Sequence, residues 1–275
     1  MKIGIIGAEN SHSEHFCRSF NEQGQFPGSR IEYLYGGDDP EKAALLSEKY
    51  GLTLCGSEDE LIEKSDAVVI TYRRGSTHFS PAMKVLKAGK PLFNDKPFAE
   101  TNAEAKELTD YAREHGSLVC GGSNLKGLPE LAELKSKMGP CKTAVISFGG
   151  DVASPYDGYW FYGIHSAELC ICLCGEDYLY VDSYKNGDSV ISLVKYSDHS
   201  CVIVTNPRNA DLHITITGQD GSCHKFLPLN YQSVGPAEFM EMIEKKELPR
   251  PLSHYVAATR LVNDIIASYE KEAER

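Results

Sequence analysis

Two short stretches of this 275-residue chain place proton-moving or anion-holding side chains where a fold could use them. The first is Asp95-Lys96-Pro97, which follows the apolar run Pro91-Leu92-Phe93-Asn94. Open α/β sheets bind their ligands outside the carboxyl ends of the strands, so a lysine at that position is placed for chemistry. Pro97 fixes its own φ and biases Lys96 toward extended backbone, which aims the ammonium out of the strand end. The second is Gly7-Ala8-Glu9-Asn10-Ser11-His12, a turn between an apolar strand and a helical stretch. A glycine-rich turn of spacing G-x-G-x-x-G would here offer free N–H groups and a positive helix end to a pyrophosphate. Only Gly7 keeps that pattern; Glu9 stands at the second glycine and His12 at the third. A carboxylate at Glu9 opposes a pyrophosphate unless the turn swings it away or a cation meets it. Ser11-His12-Ser13-Glu14 also has the form of a capping box, which would satisfy from within the N–H groups a phosphate uses.

Alternating elements must position these residues. From Lys2 to about Gly122, β-rich runs (Lys2 to Ile6, Ile31 to Tyr35, Ala67 to Thr71, Pro91 to Asn94, Leu118 to Gly121) alternate with helical stretches near His12 to Glu22, Pro40 to Tyr50, Pro81 to Ala88 and Asn102 to His115. Gly51, Gly89 and Gly116 read as left-handed helix ends, and Thr101 as a cap. This pattern predicts an N-terminal Rossmann-type, doubly wound parallel sheet. After Asn124 come a helix (Leu128 to Met138), runs of period two (Thr143 to Phe148, Ser189 to Tyr196, Ser200 to Thr205, Leu212 to Thr217) and closing helices around Ala237 to Lys246 and His254 to Ala273. That half predicts an α+β domain with a largely antiparallel open sheet. The expected domains are 1–122 and 123–275, with Gly121-Gly122 as a hinge.

The net charge of −11 and the lack of a Lys/Arg-rich stripe argue against nucleic acid and membrane surfaces as partners. The first strand is too short for a signal peptide's apolar core, and nine cysteines without metal-finger spacing fit reduced thiols in a cytoplasm. Cys170, Cys172 and Cys174 invite a metal reading, but on one helix only Cys170 and Cys174 share a face, so small buried hydrophobes are expected and no metal.

Asp95-Lys96-Pro97 resembles the Glu-Lys-Pro motif of the Gfo/Idh/MocA family of nicotinamide-dependent sugar and polyol oxidoreductases, with Asp95 in the glutamate's place. Further on, Gly163-Ile164-His165-Ser166-Ala167-Glu168 resembles the family's G-x-H-x-x-D stretch. The resemblance implies NAD or NADP as cofactor and a carbohydrate-like small molecule as substrate. It makes His165 the group that takes a hydroxyl proton as hydride leaves, with Lys96 stabilising the developing alkoxide. Glu168, three positions on from His165 along a helix, shares its face and would orient the imidazole. Four residues before His165, many dehydrogenating members carry an aspartate where this chain has Phe161. The cofactor side would comprise Gly7, Glu9, Asn10, Ser11, His12, Asp38, Thr71, Arg73, Arg74, His78 and Asp95.

Several of these residues have a second, plainer reading. Asp38, in Tyr35-Gly36-Gly37-Asp38-Asp39-Pro40, replaces a displaced ribose-binding acid or caps the next helix. Arg73 and Arg74 supply phosphate-binding charge or are surface arginines, and His78 is expected to be structural. The aromatic cluster Tyr156, Tyr159, Trp160, Phe161 and Tyr162 lines a ligand pocket or staples domains together. Asn124 and Lys126 fall where the family often faces its substrate. The second sheet resembles one that family members use for dimers, which implies a homo-oligomer. Two functions follow: a nicotinamide-dependent oxidoreductase, or a relative with a degraded cofactor turn that binds ligands without turnover.

Overall fold

The computed structural model describes residues 1–138, 141–208, 211–219, 221–227 and 230–273. They fall into two compact units. The first gathers Met1–Ala99, Lys106–Asn124 and Tyr231–Leu252; the second gathers the described residues of Glu100–Ala105, Leu125–Asn230 and Ser253–Arg275.

In chain order the first half runs β1 (Lys2–Ile6), α1 (Ser11–Cys17) continued by a π-helical turn (Arg18–Glu22), β2 (Arg30–Tyr35), α2 (Pro40–Tyr50), β3 (Thr53–Leu54), α3 (Glu58–Lys64), β4 (Ala67–Ile70), α4 (Phe79–Lys87), β5 (Leu92–Asp95), α5 (Asn102–His115) and β6 (Val119–Gly122). The six strands form one parallel sheet in the order β3-β2-β1-β4-β5-β6. Ile3, Ile5, Ile6 and the whole of β4 are fully buried, as strands covered on both faces must be. Strand order reverses between β1 and β4, so the chain leaves their carboxyl ends in opposite directions and opens a crevice there. Gly7 and Thr71 stand at its rim. Gly121 lies inside β6 with φ +137°, and a Cβ there would fall 1.8 Å from the Asn94 carbonyl oxygen. The Gly121-Gly122 pair therefore lets β6 close against β5, next to Asp95.

The second half runs α6 (Pro129–Met138), β7 (Cys141–Phe148), α7 (Trp160–Cys174), β8 (Tyr180–Asn186), β9 (Ser189–Lys195), β10 (Ser200–Thr205), β11 (Leu212–Gly218), β12 (Gly221–Leu227), α8 (Val234–Lys245) and α9 (Ser253–Ala273). Its sheet has the order β12-β11-β7-β10-β9-β8, antiparallel except where β7 and β10 run parallel. Alternation is plain in β10, where Cys201, Ile203 and Thr205 are buried between half-buried neighbours. The Thr101 expectation is met by a reciprocal box: the Glu104 amide donates to Thr101 Oγ1 at 3.1 Å and the Thr101 amide to Glu104 Oε2 at 3.2 Å.

α8 departs from the sequence pattern by rejoining the first unit. Phe239 packs edge-on to Phe93 and Phe16, 6.0 and 6.4 Å between ring centroids. The chain thus passes between the two compact units several times rather than once near residues 122 to 124. The short β3 and α3 also had no periodic signal; α3 is announced instead by its cap, Ser57, whose side chain accepts from the Glu60 amide, and by three acids in its first turn. Among the described residues no helix is long and apolar enough to cross a membrane.

Candidate functional site

The turn after β1 is built around Gly7. Its φ of +104° suits glycine, and a Cβ would meet the Tyr72 amide nitrogen at 2.7 Å, so β1 and β4 could not leave the sheet so closely with any other residue. Thr71 Oγ1 donates to the Gly7 carbonyl at 2.9 Å and ties the two strand ends together. Beyond Gly7, the amides of Ala8 and Glu9 both donate to the Asp38 carboxylate, at 2.8 and 3.1 Å. Successive N–H groups converging on one point form an anion-binding concavity, and here a carboxylate of the chain occupies it.

This arrangement departs from two of the capping expectations drawn from the sequence. Ser11 does not begin a capping box: Asn10, in extended backbone, caps α1 and accepts from the His12 amide at 3.2 Å, while Glu14 is taken by Lys49 at 2.7 Å and Tyr50 at 3.2 Å. The helix starts one residue earlier than the Ser-x-x-Glu pattern suggests, because Asn10 takes the cap position and accepts from the His12 amide. Nor does Asp38 cap α2; Asp39 does, accepting from the Lys42 amide at 2.9 Å. Cations meet Glu9, with Arg73 Nη1 3.7 Å from its carboxylate and Lys42 Nζ donating to its backbone carbonyl at 2.8 Å.

Beside the turn lies a cavity of about 570 Å³ lined by Glu9, Asp38, Glu58, Arg73, Arg74 and Tyr72, among others. Glu58, which the sequence pattern did not single out, accepts from Tyr72 OH at 2.8 Å and Lys84 at 3.1 Å. His78 is fully buried, with Nε2 2.8 Å from the Tyr72 carbonyl oxygen. Burial pushes its imidazole below the ordinary range, the behaviour of a structural histidine.

At the end of β5, Asp95 is completely buried. Its Oδ2 lies 2.6 Å from His12 Nδ1 and accepts from Asn10 Nδ2 at 3.1 Å. Burial by itself would raise this carboxyl, but the charge and hydrogen bond of His12, joined by Lys96 and His78, outweigh it and hold it at about 2. Lys96 is 4% exposed. Burial pushes it down to about 8; Arg73 adds to the fall and Asp95 opposes it. A lysine in that range can hold or release a proton near neutrality. Six of the proposed cofactor-side residues (Gly7, Glu9, Asn10, Asp38, Thr71, Arg73) are thus linked around one turn, and His12, Asp95 and Lys96 form a buried charge cluster beside it. Ser11 is exposed at the start of α1.

The second unit carries its own cluster. His165, 7% exposed on α7, packs edge-on to Phe148 with centroids 5.8 Å apart and lies 5.6 Å from the Tyr162 ring. Glu168, one turn on, gives its Oε2 to Lys126 Nζ at 2.9 Å and to His254 Nε2 at 3.3 Å. Burial would raise the Glu168 carboxyl, yet Lys126 and His254 together hold it at about 2. Lys126 also lies over the Tyr255 ring, 5.6 Å from its centroid. His254 had no motif to mark it; it opens a helix and reaches Glu168 through the fold alone. The same holds for Cys201, which brings a third thiol to within 4.8 Å of Cys170 and Cys174. Of the aromatic cluster, Tyr159 and Trp160 are buried, and Tyr156, Phe161 and Tyr162 pack on one another with centroids 5.0 and 4.8 Å apart.

Residues 1–123 match the model of an oxidoreductase family with an NAD-binding Rossmann fold, Gfo/Idh/MocA. Over those residues the chain is similar to the Gfo/Idh/MocA family. An inositol 2-dehydrogenase of Cereibacter sphaeroides is 27% identical over 117 residues, 42% of this chain and 34% of that relative. The chain thus matches about a third of the length of the curated relatives it resembles. Among solved structures, a putative myo-inositol dehydrogenase from Sinorhizobium meliloti 1021 superposes with a TM-score of 0.84 at 17% identity, covering 99% of this chain and 98% of the other. Scyllo-inositol dehydrogenase from Lactobacillus casei, solved with NAD(H) and scyllo-inositol, gives 0.83 at 13% identity, covering 99% and 97%. At such identities these two structures speak for the fold: a Rossmann-type parallel sheet followed by a mostly antiparallel one.

Proposed function

We propose that this protein is an NAD-dependent oxidoreductase that passes hydride between the nicotinamide and a hydroxyl-bearing carbon of a sugar, a polyol or a related compound. The observation that carries the reading is the turn after β1, whose Ala8 and Glu9 amides already hold an anionic group beside a polar cavity large enough for part of a nucleotide. The chemistry of the donor set fits: Gly7 permits close approach, Arg73 and Arg74 offer charge to phosphate, and Asp38 offers a carboxylate to ribose hydroxyls. Asp38, Glu9 and Glu58 on the same cavity oppose a further phosphate on the ribose, which favours NAD over NADP. The bound nicotinamide would accept or supply the hydride.

The chain's own residues handle the proton. Lys96, buried and brought down to about 8, binds the substrate oxygen as a cation and steadies its negative charge as the hydroxyl proton departs. His165 is the second proton-handling residue of this reading, in the second unit. The Phe148 and Tyr162 rings pack against its imidazole and hold it in place. Homo-oligomer formation through the second sheet belongs to the same reading.

The reading is tested by offering the protein NAD with a panel of inositols, sugar alcohols and aldoses and following nicotinamide reduction. Turnover on at least one class, lost by two or more orders of magnitude in Lys96→Ala and His165→Ala with folding retained, is the expected result. A second reading, ligand binding without turnover, is favoured by one observation: Asp38 already fills the amides a pyrophosphate would use. Absence of NADH binding, with no reduction of any substrate, would support it.

A further inference from the structure

We propose that Cys170, Cys174 and Cys201 form a site for one soft, thiophilic cation of the Cu⁺ class, closed between α7 and β10. The inference is independent of the nicotinamide reading and uses none of its residues.

The sequence sets Cys170 and Cys174 one helical turn apart on one face of α7, and two thiols are too few for a closed metal site. The fold supplies the third. Cys201 stands at a buried position in the alternation of β10, and its sulfur joins those of Cys170 and Cys174 in a group whose members all lie within 4.8 Å of one another. Metal–thiolate bonds of about 2.3 Å set sulfurs about 4 Å apart around a shared ion, so these three need at most a small movement to meet on one. Among the described residues no other three potential ligands converge in this way, and no imidazole or carboxylate joins them. None of the three is in a disulfide. Cys170 and Cys201 are fully buried and Cys174 is 9% exposed, so an ion would enter past Cys174, at the last turn of the helix.

Neighbouring side chains fix the cluster from outside. The Tyr196 hydroxyl lies 3.6 Å from Cys170 Sγ and donates to the Gly175 carbonyl at 2.9 Å. His199 Nε2 lies 2.9 Å from the Cys174 carbonyl oxygen, and its ring stacks on Tyr196 with centroids 4.2 Å apart. Lys135 Nζ donates to the Cys172 carbonyl at 2.7 Å. These bonds anchor the last turn of α7, as outer partners do at metal sites. That turn is the negative end of the helix, which favours a cation and disfavours thiolates with no cation to balance them. Binding therefore exchanges three S–H protons, released to solvent, for three metal–sulfur bonds, with no change of oxidation state. Thiolates select soft ions, and Cu⁺ accepts three sulfurs, whereas a structural Zn²⁺ wants a fourth ligand.

The test titrates the reduced, metal-free full chain, in the absence of oxygen, with Cu⁺ supplied as its complex with the chromophoric chelator bicinchoninate. The wild type is expected to withdraw one equivalent, and X-ray absorption at the copper edge to show three sulfur neighbours. Cys201→Ser should weaken binding by about 100-fold or more, whereas Cys172→Ser, on the same helix but outside the cluster, should leave it unchanged. The ion should also raise the melting temperature of the wild type and not that of Cys201→Ser, because it binds the folded chain. No copper withdrawn, fewer than three sulfur neighbours, or equal losses in Cys172→Ser and Cys201→Ser would overturn the site. If Cys201→Ser fails to fold, the stoichiometry and sulfur count of the wild type decide alone.

Discussion

Each unit contains one fully buried carboxylate held at about 2 by cations, and the two are built for different ends. Glu168 is clamped between a lysine on the loop after β6 and a histidine on α9, with the Lys126 head group as deeply buried as the carboxylate. Asp95 has one oxygen held by His12 and Asn10 and the other without a hydrogen bond among the described residues, and the next residue is a buried lysine brought down to about 8. In the first case the ions lock three chain segments together. In the second one oxygen makes no hydrogen bond among the described residues, and a buried lysine follows at the strand end. Buried ion pairs add little net stability over apolar packing, but breaking one is expensive.

That contrast predicts the largest effect at the locked cluster. Lys126→Ala should destabilise the protein by about 3–5 kcal/mol, because Glu168 would be left buried with its main cation gone. A urea denaturation midpoint that barely moves would contradict the locking role. Lowering the pH tests both carboxylates together. Their folded-state values, about 2, lie below the ordinary 3.8 for Asp95 and 4.5 for Glu168. The unfolded chain thus takes up protons first as the pH falls, and stability should be full above about pH 5 and decline toward pH 2. Lys126→Ala should flatten much of that decline, while His12→Asn should remove a smaller part.

Smaller effects separate the two helix caps. Thr101→Ala should cost about 1 kcal/mol in a thermal melt and nothing more. Asn10→Ala should cost a similar amount in stability and also change NADH affinity, since Asn10 holds Asp95 as well as the helix start. Equal behaviour of the two variants would remove the distinction. At the turn, Glu9→Gly should tighten NADH binding only a few-fold, because the partly exposed Arg73 pair already offsets that carboxylate.

Much of this could be read from the sequence, for identifiable reasons. The parallel sheet showed itself because its strands are buried on both faces and its helices end in glycine or begin in caps. Lys96 and Glu9 stood out because nearby Pro97 and Gly7 constrain the backbone locally, and Asp38 because it follows a strand end at a glycine pair. What stayed hidden depends on contacts between distant segments. The pairing of His12 with Asp95 spans 83 positions and that of Glu168 with His254 spans 86, and no local periodicity encodes either. The capping box over Ser11 to Glu14 was a local pattern overridden by a neighbour, Asn10, that caps equally well and also reaches β5. β8 escaped notice because both its faces are largely exposed, leaving no alternation to read. α8 carries an apolar stripe that signals burial but not which sheet receives it.

Calorimetric titration of the purified chain with NADH and with NADPH tests the central claim most directly. The account predicts micromolar binding of NADH and at least ten-fold weaker binding of NADPH, because Asp38, Glu9 and Glu58 share the cavity that a ribose phosphate would enter. Absence of heat with either nucleotide at millimolar concentration would contradict it, and would mean that Asp38 does not yield the amides of the turn.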